Sequence, residues 1–383
     1  MNIELEIDLP TNADSKDYQY ESPIYCDDDV LYFITDRPNT ILHIVDTNVG
    51  KEKIQPIISR CSVIPSEYFF EKFRDKLIIY TGELSFYENE SIVEFPHVPI
   101  DDRINSHLIK DNYFIFADHS NLICFNLDTQ NVEWQLGIAN TKLYEPGEIS
   151  LFGDDIACYG NDKLLIVDIF SGTIKDQILI PHINKAFGPI KIDDNTLLIG
   201  FTNWLNAGIL KYDMNARKVL WKNKRSFEGP LLRCKIYQKD NFAYWVKNDT
   251  ELICVDINSG DEAYSVKTMP WLYTDLLFEH QNLFYGTAGR DGYFVNLDPE
   301  TGCEKWSFFL KNGCAYFDFY DKSVVLGDFE KTIYRIDATN GEILSRIFVD
   351  GEVVGRIKTH RNNVYTVIWG SERAPIRLIK IKI

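Results

Sequence analysis

The sequence lacks the short motifs by which many catalytic and metal sites are recognised. None of its eight cysteines forms a CxxC pair, and its seven histidines show neither HxH nor HExxH spacing. The nucleophile motif GxSxG and the phosphate-binding patterns GxGxxG and GxxxxGK[ST] are also missing. We therefore predict a protein that is not an enzyme, with no catalytic residues, no metal and no cofactor.

Long apolar runs and basic residues are scarce as well. No stretch of 18 apolar residues occurs, and the opening MNIELEIDLP has no basic region before an apolar one. Lysine and arginine number 40 against 57 aspartates and glutamates, for a net charge of −17. Such a charge repels nucleic acids and anionic membranes, and it attracts basic proteins. The sequence thus predicts a cytoplasmic protein that binds neither nucleic acid nor membrane.

A repeat is present instead, marked by aspartates that end short apolar segments. Their intervals run from 39 to 45 residues, except the first interval of 82 residues, which is about two periods. This period fits a four-stranded propeller blade, and helical HEAT-type repeats share it. The repeated aspartates are Asp46, Asp128, Asp168, Asp213, Asp256, Asp298 and Asp337.

The composition within one period favours strands over helices. Residues 231–267 contain the segments LLRCKIYQ, FAYWVK, ELICVDI and EAYSVK, separated by breaks rich in Asn, Asp and Gly. Aromatic and β-branched residues between such breaks are typical of strands and tight turns. Apolar residues do not recur at i, i+3, i+4 and i+7 over three turns. The sequence therefore predicts an all-β fold.

The repeats resemble the pyrroloquinoline-quinone-type (PQQ-type), quinoprotein-like propeller repeat, whose consensus is roughly Asp-x-x-Thr-Gly-x-x-x-Trp. Asp298, Thr301, Gly302 and Trp306 match it best, and most other copies keep only the aspartate and the glycine. The resemblance implies a β-propeller. The exported dehydrogenases of this fold hold a quinone with calcium and carry a vicinal disulfide. Because this chain has no adjacent cysteines, we predict the architecture without the cofactor.

Nine repeats can be counted, or eight if one unit is an irregular insertion. Seven contain the aspartate, and in the unit of Asp128 the tryptophan Trp134 comes two residues early. An eighth places Tyr87 at the aspartate position. The ninth consists of VGRIKTH, VYTVIWG and IRLIKIKI near the C-terminus and lacks a fourth strand.

The N-terminus can supply that strand. IELEIDL alternates apolar with acidic residues, and LIKIKI at the C-terminus alternates apolar with basic ones. Pairing them side by side brings opposite charges together and removes two exposed sheet edges. We therefore predict that residues 1–9 pair with residues 376–383, and that residues 1–383 form a single closed propeller domain.

The loops after the second and fourth strands of a four-stranded blade open on one face, and here they are long and varied. They carry tryptophan, tyrosine and arginine, which dominate binding energy at protein interfaces. Taken singly, Trp271 or Trp369 is better explained by packing between blades, and it is the set that indicates a binding face. The candidate partner-binding residues are Trp204, Trp271, Tyr273, Arg290, Trp369 and Arg373.

Two classes of function follow from these observations. Acidic, cytoplasmic quinoprotein-like repeat proteins resemble immunity proteins that neutralise bacterial toxins. The resemblance thus implies a protein partner, a basic toxin or effector, held on one loop face. The alternative is an enzyme or carbohydrate-binding propeller with a site at the central channel, because propellers can assemble carboxylate pairs from different blades. A scaffold with several protein partners is a third hypothesis.

Overall fold

The computed structural model describes most of the chain. The described residues are 1–8, 23–35, 40–57, 68–95, 98, 100, 104, 106–118, 120–138, 149–160, 163–179, 185–202, 206–226, 236–247, 251–267, 277–279, 281–286, 292–311, 313–328, 331–353, 356–369 and 376–383. Within them the secondary structure consists of strands β1 to β37, and no helix is long and apolar enough to cross a membrane.

The strands of the described residues form nine antiparallel sheets, the blades of a β-propeller. This confirms the predicted fold and favours nine blades over eight. The chain falls into two compact units. Unit 1 comprises Met1–Phe95, Met269–Pro299 and Cys303–Ile383, and unit 2 comprises Pro96–Thr268 and Glu300–Gly302. The single-domain organisation over residues 1–383 stays a prediction.

Unit 1 contains five of these blades, numbered in chain order. Blade 1 is formed by β2 (Tyr25–Asp27), β3 (Val30–Thr35), β4 (Ile41–Asp46) and β5 (Lys51–Pro56). Blade 2 is formed by β6 (Phe69–Phe73), β7 (Lys76–Tyr80), β8 (Leu84–Glu88) and β9 (Ser91–Glu94). Blade 7 is formed by β26 (Leu277–Glu279), β27 (Asn282–Gly286), β28 (Gly292–Leu297) and β29 (Glu304–Leu310). Blade 8 is formed by β30 (Cys314–Tyr320), β31 (Ser323–Asp328), β32 (Thr332–Asp337) and β33 (Ile343–Phe348). Blade 9 is formed by β34 (Glu352–Val353), β35 (Lys358–His360), β36 (Asn363–Trp369), β37 (Ile376–Lys382) and β1 (Asn2–Asp8).

Unit 2 contains the other four blades. Blade 3 is formed by β10 (Ser106–Lys110), β11 (Tyr113–Ala117), β12 (Asn121–Asn126) and β13 (Asn131–Gly137). Blade 4 is formed by β14 (Ser150–Phe152), β15 (Asp155–Gly160), β16 (Lys163–Asp168) and β17 (Ile174–Ile178). Blade 5 is formed by β18 (Lys185–Lys191), β19 (Thr196–Thr202), β20 (Asn206–Asp213) and β21 (Lys218–Ser226). Blade 6 is formed by β22 (Ile236–Lys239), β23 (Phe242–Lys247), β24 (Glu251–Asp256) and β25 (Glu262–Lys267).

The core lies in the second and third strands of the blades. These strands read as continuous apolar runs, such as FIFA in β11 and LICF in β12, and both runs are buried. Runs of this kind suit strands covered on both faces. The fourth strands alternate instead, and β13 repeats exposed and half-buried residues along its length. In unit 2 the buried clusters join blade 3 to blade 4, blade 4 to blade 5 and blade 5 to blade 6.

The first and last strands of the chain pair as predicted. β1 lies antiparallel to β37, with Asn2 opposite Lys382 and Asp8 opposite Arg377. The two strands are also joined by an ion pair, in which Arg377 Nη1 lies 2.6 Å from Glu6 Oε2. β1 thus provides the fourth strand of blade 9, while β34 and β35 share the first position beside β36. Apolar side chains of β36 and β37 also pack against β3 of blade 1, so blade 9 is joined to blade 1 within unit 1.

The repeated aspartates hold the turns between third and fourth strands. Asp256 Oδ1 accepts hydrogen bonds from the backbone N–H groups of Asn258 and Ser259, both at 2.8 Å. Four residues after the aspartate, Gly260 adopts a φ of +79° and donates its N–H to the Asp256 carbonyl at 2.8 Å. Glycine adopts such a φ without steric cost. The aspartate and the glycine of this turn therefore have structural roles.

In blade 3 the turn residue is Asn126, so the prediction of Asp128 is wrong. Asn126 Oδ1 accepts hydrogen bonds from the backbone N–H groups of Asp128 at 3.0 Å and Thr129 at 3.1 Å. Gln130 takes the glycine position, with a φ of +57°. Trp134 thereby has the same spacing from the turn residue as the other tryptophans. An asparagine carbonyl makes the bonds of an aspartate carboxylate, which a search for aspartates alone does not find.

Blade 2 replaces the aspartate turn by a shorter one. Tyr87, predicted at the aspartate position, lies inside β8. Asn89 and Glu90 form the turn with φ values of 48° and 61°. Two consecutive positive φ values are characteristic of a two-residue type I′ hairpin.

Neighbouring blades are joined by an aromatic ring that packs on a turn glycine. Trp221 of blade 5 faces Gly260 of blade 6, where an added Cβ would lie 2.6 Å from the ring. The indole N–H donates to the Ile257 carbonyl oxygen at 2.9 Å. The tryptophan of the repeat therefore packs between neighbouring blades. The equivalent pairs are Trp134–Gly172, Tyr264–Gly302 and Trp306–Gly341.

The seam between blades 4 and 5 departs from this rule at both positions. Asp176 occupies the aromatic position of blade 4, and Arg217 occupies the glycine position of blade 5 with a φ of +51°. Arg217 Nη2 lies 2.8 Å from Asp176 Oδ1, so an ion pair replaces the ring-on-glycine contact. Without a ring above the turn, a Cβ is sterically tolerated there.

Candidate interaction surfaces

The predicted partner-binding residues occupy similar places in the chain order of the strands. Each lies in, or at the start of, a connection that follows a second or fourth strand. Trp369 is the last residue of β36, where its backbone pairs with Glu352 and Ile376, and its side chain lies outside the described part. Their role in binding stays a prediction. The residues that lie wholly outside the described ranges are Trp204, Trp271, Tyr273, Arg290 and Arg373.

One set of turns in unit 2 forms a well-described surface, which we call the turn side. It consists of the turns from first to second and from third to fourth strands in blades 3 to 6. Aspartates predominate on it, and four of them belong to the repeated set found in the sequence. They are Asp111, Asp128, Asp154, Asp155, Asp168, Asp193, Asp194, Asp213, Asp240, Asp256 and Asp261.

Hydrogen bonds keep members of this set ionised. Lys175 Nζ lies 2.8 Å from Asp168 Oδ2, and the Ser171 N–H donates to Asp168 Oδ1 at 2.9 Å. The bonds from Lys175 and then Ser171 lower the pKa of Asp168 to about 2. The Thr196 hydroxyl and then the Asn195 backbone N–H lower the pKa of Asp193. These carboxylates therefore carry negative charge at neutral pH.

The turn side also carries an exposed aromatic side chain. Phe170, in the third-to-fourth strand turn of blade 4, is 50% exposed. Its ring lies 5.7 Å from the ring of Tyr113 in blade 3, in an edge-to-face arrangement of 76°. An exposed aromatic within a charged surface is a typical binding anchor.

A hydroxyl, an imidazole and a carboxylate lie in line in blade 1. Thr35 Oγ1 is 2.7 Å from His43 Nε2, and His43 Nδ1 is 2.6 Å from Glu52 Oε1. This order resembles that of a nucleophile, a base and an orienting acid. His43 is fully buried and stacks on Phe33 at 4.6 Å, and Thr35 is 6% exposed. We interpret the group as buried polar side chains that satisfy one another.

Four buried or half-buried cysteine thiols of the described strands are poor nucleophiles. Burial raises the pKa of Cys26, Cys124, Cys158 and Cys254 to about 12 in each case. The thiol is therefore the stable form, and the thiolate that attacks or binds metals is scarce at neutral pH. Among the described residues no group of three histidine, cysteine or acidic side chains is placed to hold a metal ion.

Comparison with known proteins supports the fold. No protein-family model matches the chain, and neither does any curated protein. BamB from Moraxella catarrhalis is similar in structure, with a TM-score of 0.54 and 17% identity over 82% of this chain and 96% of that one. Sqt1 from Saccharomyces cerevisiae has a TM-score of 0.54 and 10% identity over 100% and 99%. A europium-containing methanol dehydrogenase has a TM-score of 0.53 and 7% identity over 100% and 93%.

These similarities support the PQQ-like propeller architecture that the repeats predict. At such low identity they show the fold alone. One of these structures is an enzyme by its name, and a shared propeller does not transfer its chemistry to this chain. Function must be argued from the surfaces.

Proposed function

We propose that the chain is a non-enzymatic, protein-binding propeller whose partner is a basic protein. The predominance of aspartates on the turn side carries this proposal, together with the net charge of −17. A charge of this size accelerates encounter with a basic partner and disfavours acidic ones. Charge sets the class of partner, and apolar anchors supply most of the affinity.

The finer part of the proposal is an immunity role in the cytoplasm. The partner is then a basic toxin, held by the loop face that carries Trp204, Arg290 and Trp369. The resemblance to acidic quinoprotein-like immunity proteins supports this assignment. Neutralisation by a stoichiometric complex requires no catalytic group.

The test is capture of the partner by the tagged full chain from its native cells, followed by titration of the purified pair. We expect a complex of micromolar affinity or tighter that weakens as salt rises, because screening reduces attraction between exposed charges. The triple variant W204A/R290A/W369A should lose the complex. The variant V49A, which truncates a side chain 71% exposed in a turn of blade 1, should retain it.

Two results would contradict the proposal. If no protein binds at micromolar concentration, the protein-binding function is wrong. If a partner binds without inhibition of any toxicity when both are expressed in one cell, the immunity role is wrong while protein binding stands. Circular dichroism of each variant ensures that a loss of binding does not reflect unfolding.

A further inference from the structure

Phe170 differs in residue type from the residues at the equivalent position of the other turns. The residue two places after the turn aspartate or asparagine is polar in the other turns of this kind. Blade 4 alone in this described set has an aromatic residue there, and its ring is half exposed to solvent. Burial does not explain a phenylalanine at that place. The polar residues at the equivalent positions are Asn48, Asp128, Asn215, Asn258, Glu300 and Thr339.

The turn that carries Phe170 is held firmly. The backbone N–H of Phe170 donates a hydrogen bond to Asp168 Oδ1 at 3.1 Å. The N–H of the preceding Ile169 donates to the Asp154 carbonyl at 3.1 Å, and the Ile169 carbonyl accepts the Trp134 indole N–H at 2.7 Å. The ring is therefore presented in one place at little entropic cost to a ligand.

Two exposed aspartates are connected through the backbone to the turns that carry the aromatic pair. Asp111 lies in a tight turn, two residues before Tyr113. The backbone carbonyl of Asp154 accepts a hydrogen bond from the N–H of Ile169, the residue before Phe170. In the described part of unit 2 neither side chain has an ion-pair partner. A planar guanidinium can stack on an aromatic ring while it pairs with a carboxylate, and it is less strongly hydrated than an ammonium.

We propose that Tyr113, Phe170, Asp111 and Asp154, which we call the aromatic–acidic patch, form a docking site for an arginine-containing segment of a partner protein. Charge complementarity selects a basic segment, and the exposed ring selects arginine over lysine. The patch belongs to turns after first and third strands, whereas the predicted loop face belongs to connections after second and fourth strands. The inference thus goes beyond the proposed function and assigns a second binding surface.

The probe is a synthetic twelve-residue peptide of glycine and serine with three arginines, compared with the same peptide with three lysines. Binding of each fluorescent peptide to the full chain is measured by anisotropy at 50 and 150 mM salt. We expect the arginine peptide to bind about three- to tenfold tighter than the lysine peptide, the range of a stacked guanidinium. F170A should abolish this preference and leave the weaker, charge-driven binding of both peptides.

The matched control is F348A, which removes an aromatic side chain 65% exposed in blade 8. It should leave the arginine preference intact, as should the loop variant W204A/R290A/W369A. D111N/D154N should weaken both peptides. Because the peptides need no native partner, failure of the proposed function would not affect these results.

Three outcomes would overturn the inference. Equal affinity of the two peptides for the native chain would show that charge alone acts. Loss of the preference in F348A, or in the loop variant, would place the site elsewhere. Self-association in analytical ultracentrifugation that F170A abolishes would make a second copy of the chain the occupant of the patch.

Discussion

Replacing the Asp176–Arg217 ion pair by tryptophan and glycine should stabilise the seam between blades 4 and 5. The neighbouring seams of unit 2 carry a ring on a glycine, and this one does not. In D176W/R217G the indole would cover the turn, and its N–H would point to the Met214 carbonyl. That carbonyl is equivalent to the Ile257 carbonyl, which accepts the indole of Trp221 at 2.9 Å.

The expected gain is about 2 kcal/mol. A half-buried tryptophan removes roughly 100 Å² from water, a contribution of about 2.5 kcal/mol, and a new hydrogen bond adds about 1 kcal/mol. The lost ion pair contributes at most about 1 kcal/mol, because the Arg217 side chain is 66% exposed. Glycine stabilises the fold by relieving the strain of a positive φ, and it destabilises the fold by raising the entropy of the unfolded chain. These two contributions are similar in size and largely cancel.

Neither single substitution should reproduce this gain. D176W alone presses the indole against the Arg217 Cβ, since an added Cβ at Gly260 would lie 2.6 Å from the Trp221 ring. Such overpacking costs about 1–3 kcal/mol and cancels the benefit of burial. Urea unfolding of the native chain, both single variants and the double variant should give a favourable coupling of about 2 kcal/mol.

The control is D176W/R217A, which keeps a Cβ on the turn while removing the arginine side chain. The free energy of unfolding of D176W/R217A should rise much less than that of D176W/R217G. If its free energy of unfolding equals that of D176W/R217G, the steric argument for glycine at this position is wrong.

The remaining predictions concern the turns and the terminal strand. N126A should lower the free energy of unfolding by about 1 kcal/mol and D128A by less, because Asn126 Oδ1 accepts two N–H groups of the turn; equal losses in urea unfolding would contradict the corrected repeat. The pKa of Asp168 is about 2, below about 3.9 in an unfolded chain, so its stabilisation is present above about pH 4 and is lost as pH falls towards about 2. In D168N the urea midpoint should therefore depend less on pH in this range. A pH dependence equal to that of the native chain would show that Asp168 does not have a lowered pKa. Deleting residues 1–9 exposes the edge of β37 and should lower the melting temperature markedly in circular dichroism, whereas an unaltered melting curve would show that β1 is dispensable.

The spacing of aspartate and glycine was sufficient to predict blades, because this turn requires both an acceptor and a residue with positive φ. The pairing of the terminal strands could also be predicted, because acidic residues alternate with apolar ones in the first strand and basic residues do so in the last. The turn of blade 3 was misplaced by two residues because asparagine accepts the same bonds as aspartate. Blade 2 was harder to place at residue level because a type I′ hairpin needs no aspartate.

The candidate surfaces were less predictable than the fold. The six loop residues were chosen by residue type and by the topology of a blade, and no described contact brings them together. Phe170 and Tyr113 were not singled out, although they lie 5.7 Å apart between ring centres. A signal did exist in the sequence: one aromatic residue at a turn position that is otherwise polar.

Local chemistry by itself determined the strands, the turns and the pairing of the chain ends, because each depends on residues within a few positions or on one alternating pattern. Only the tertiary structure decided which fourth-strand side chain meets which turn. Such a contact joins residues about one repeat apart, and its partner is set by the packing of neighbouring blades. The same packing placed a half-exposed phenylalanine beside a tyrosine of the neighbouring blade, a contact that the sequence of one repeat does not specify.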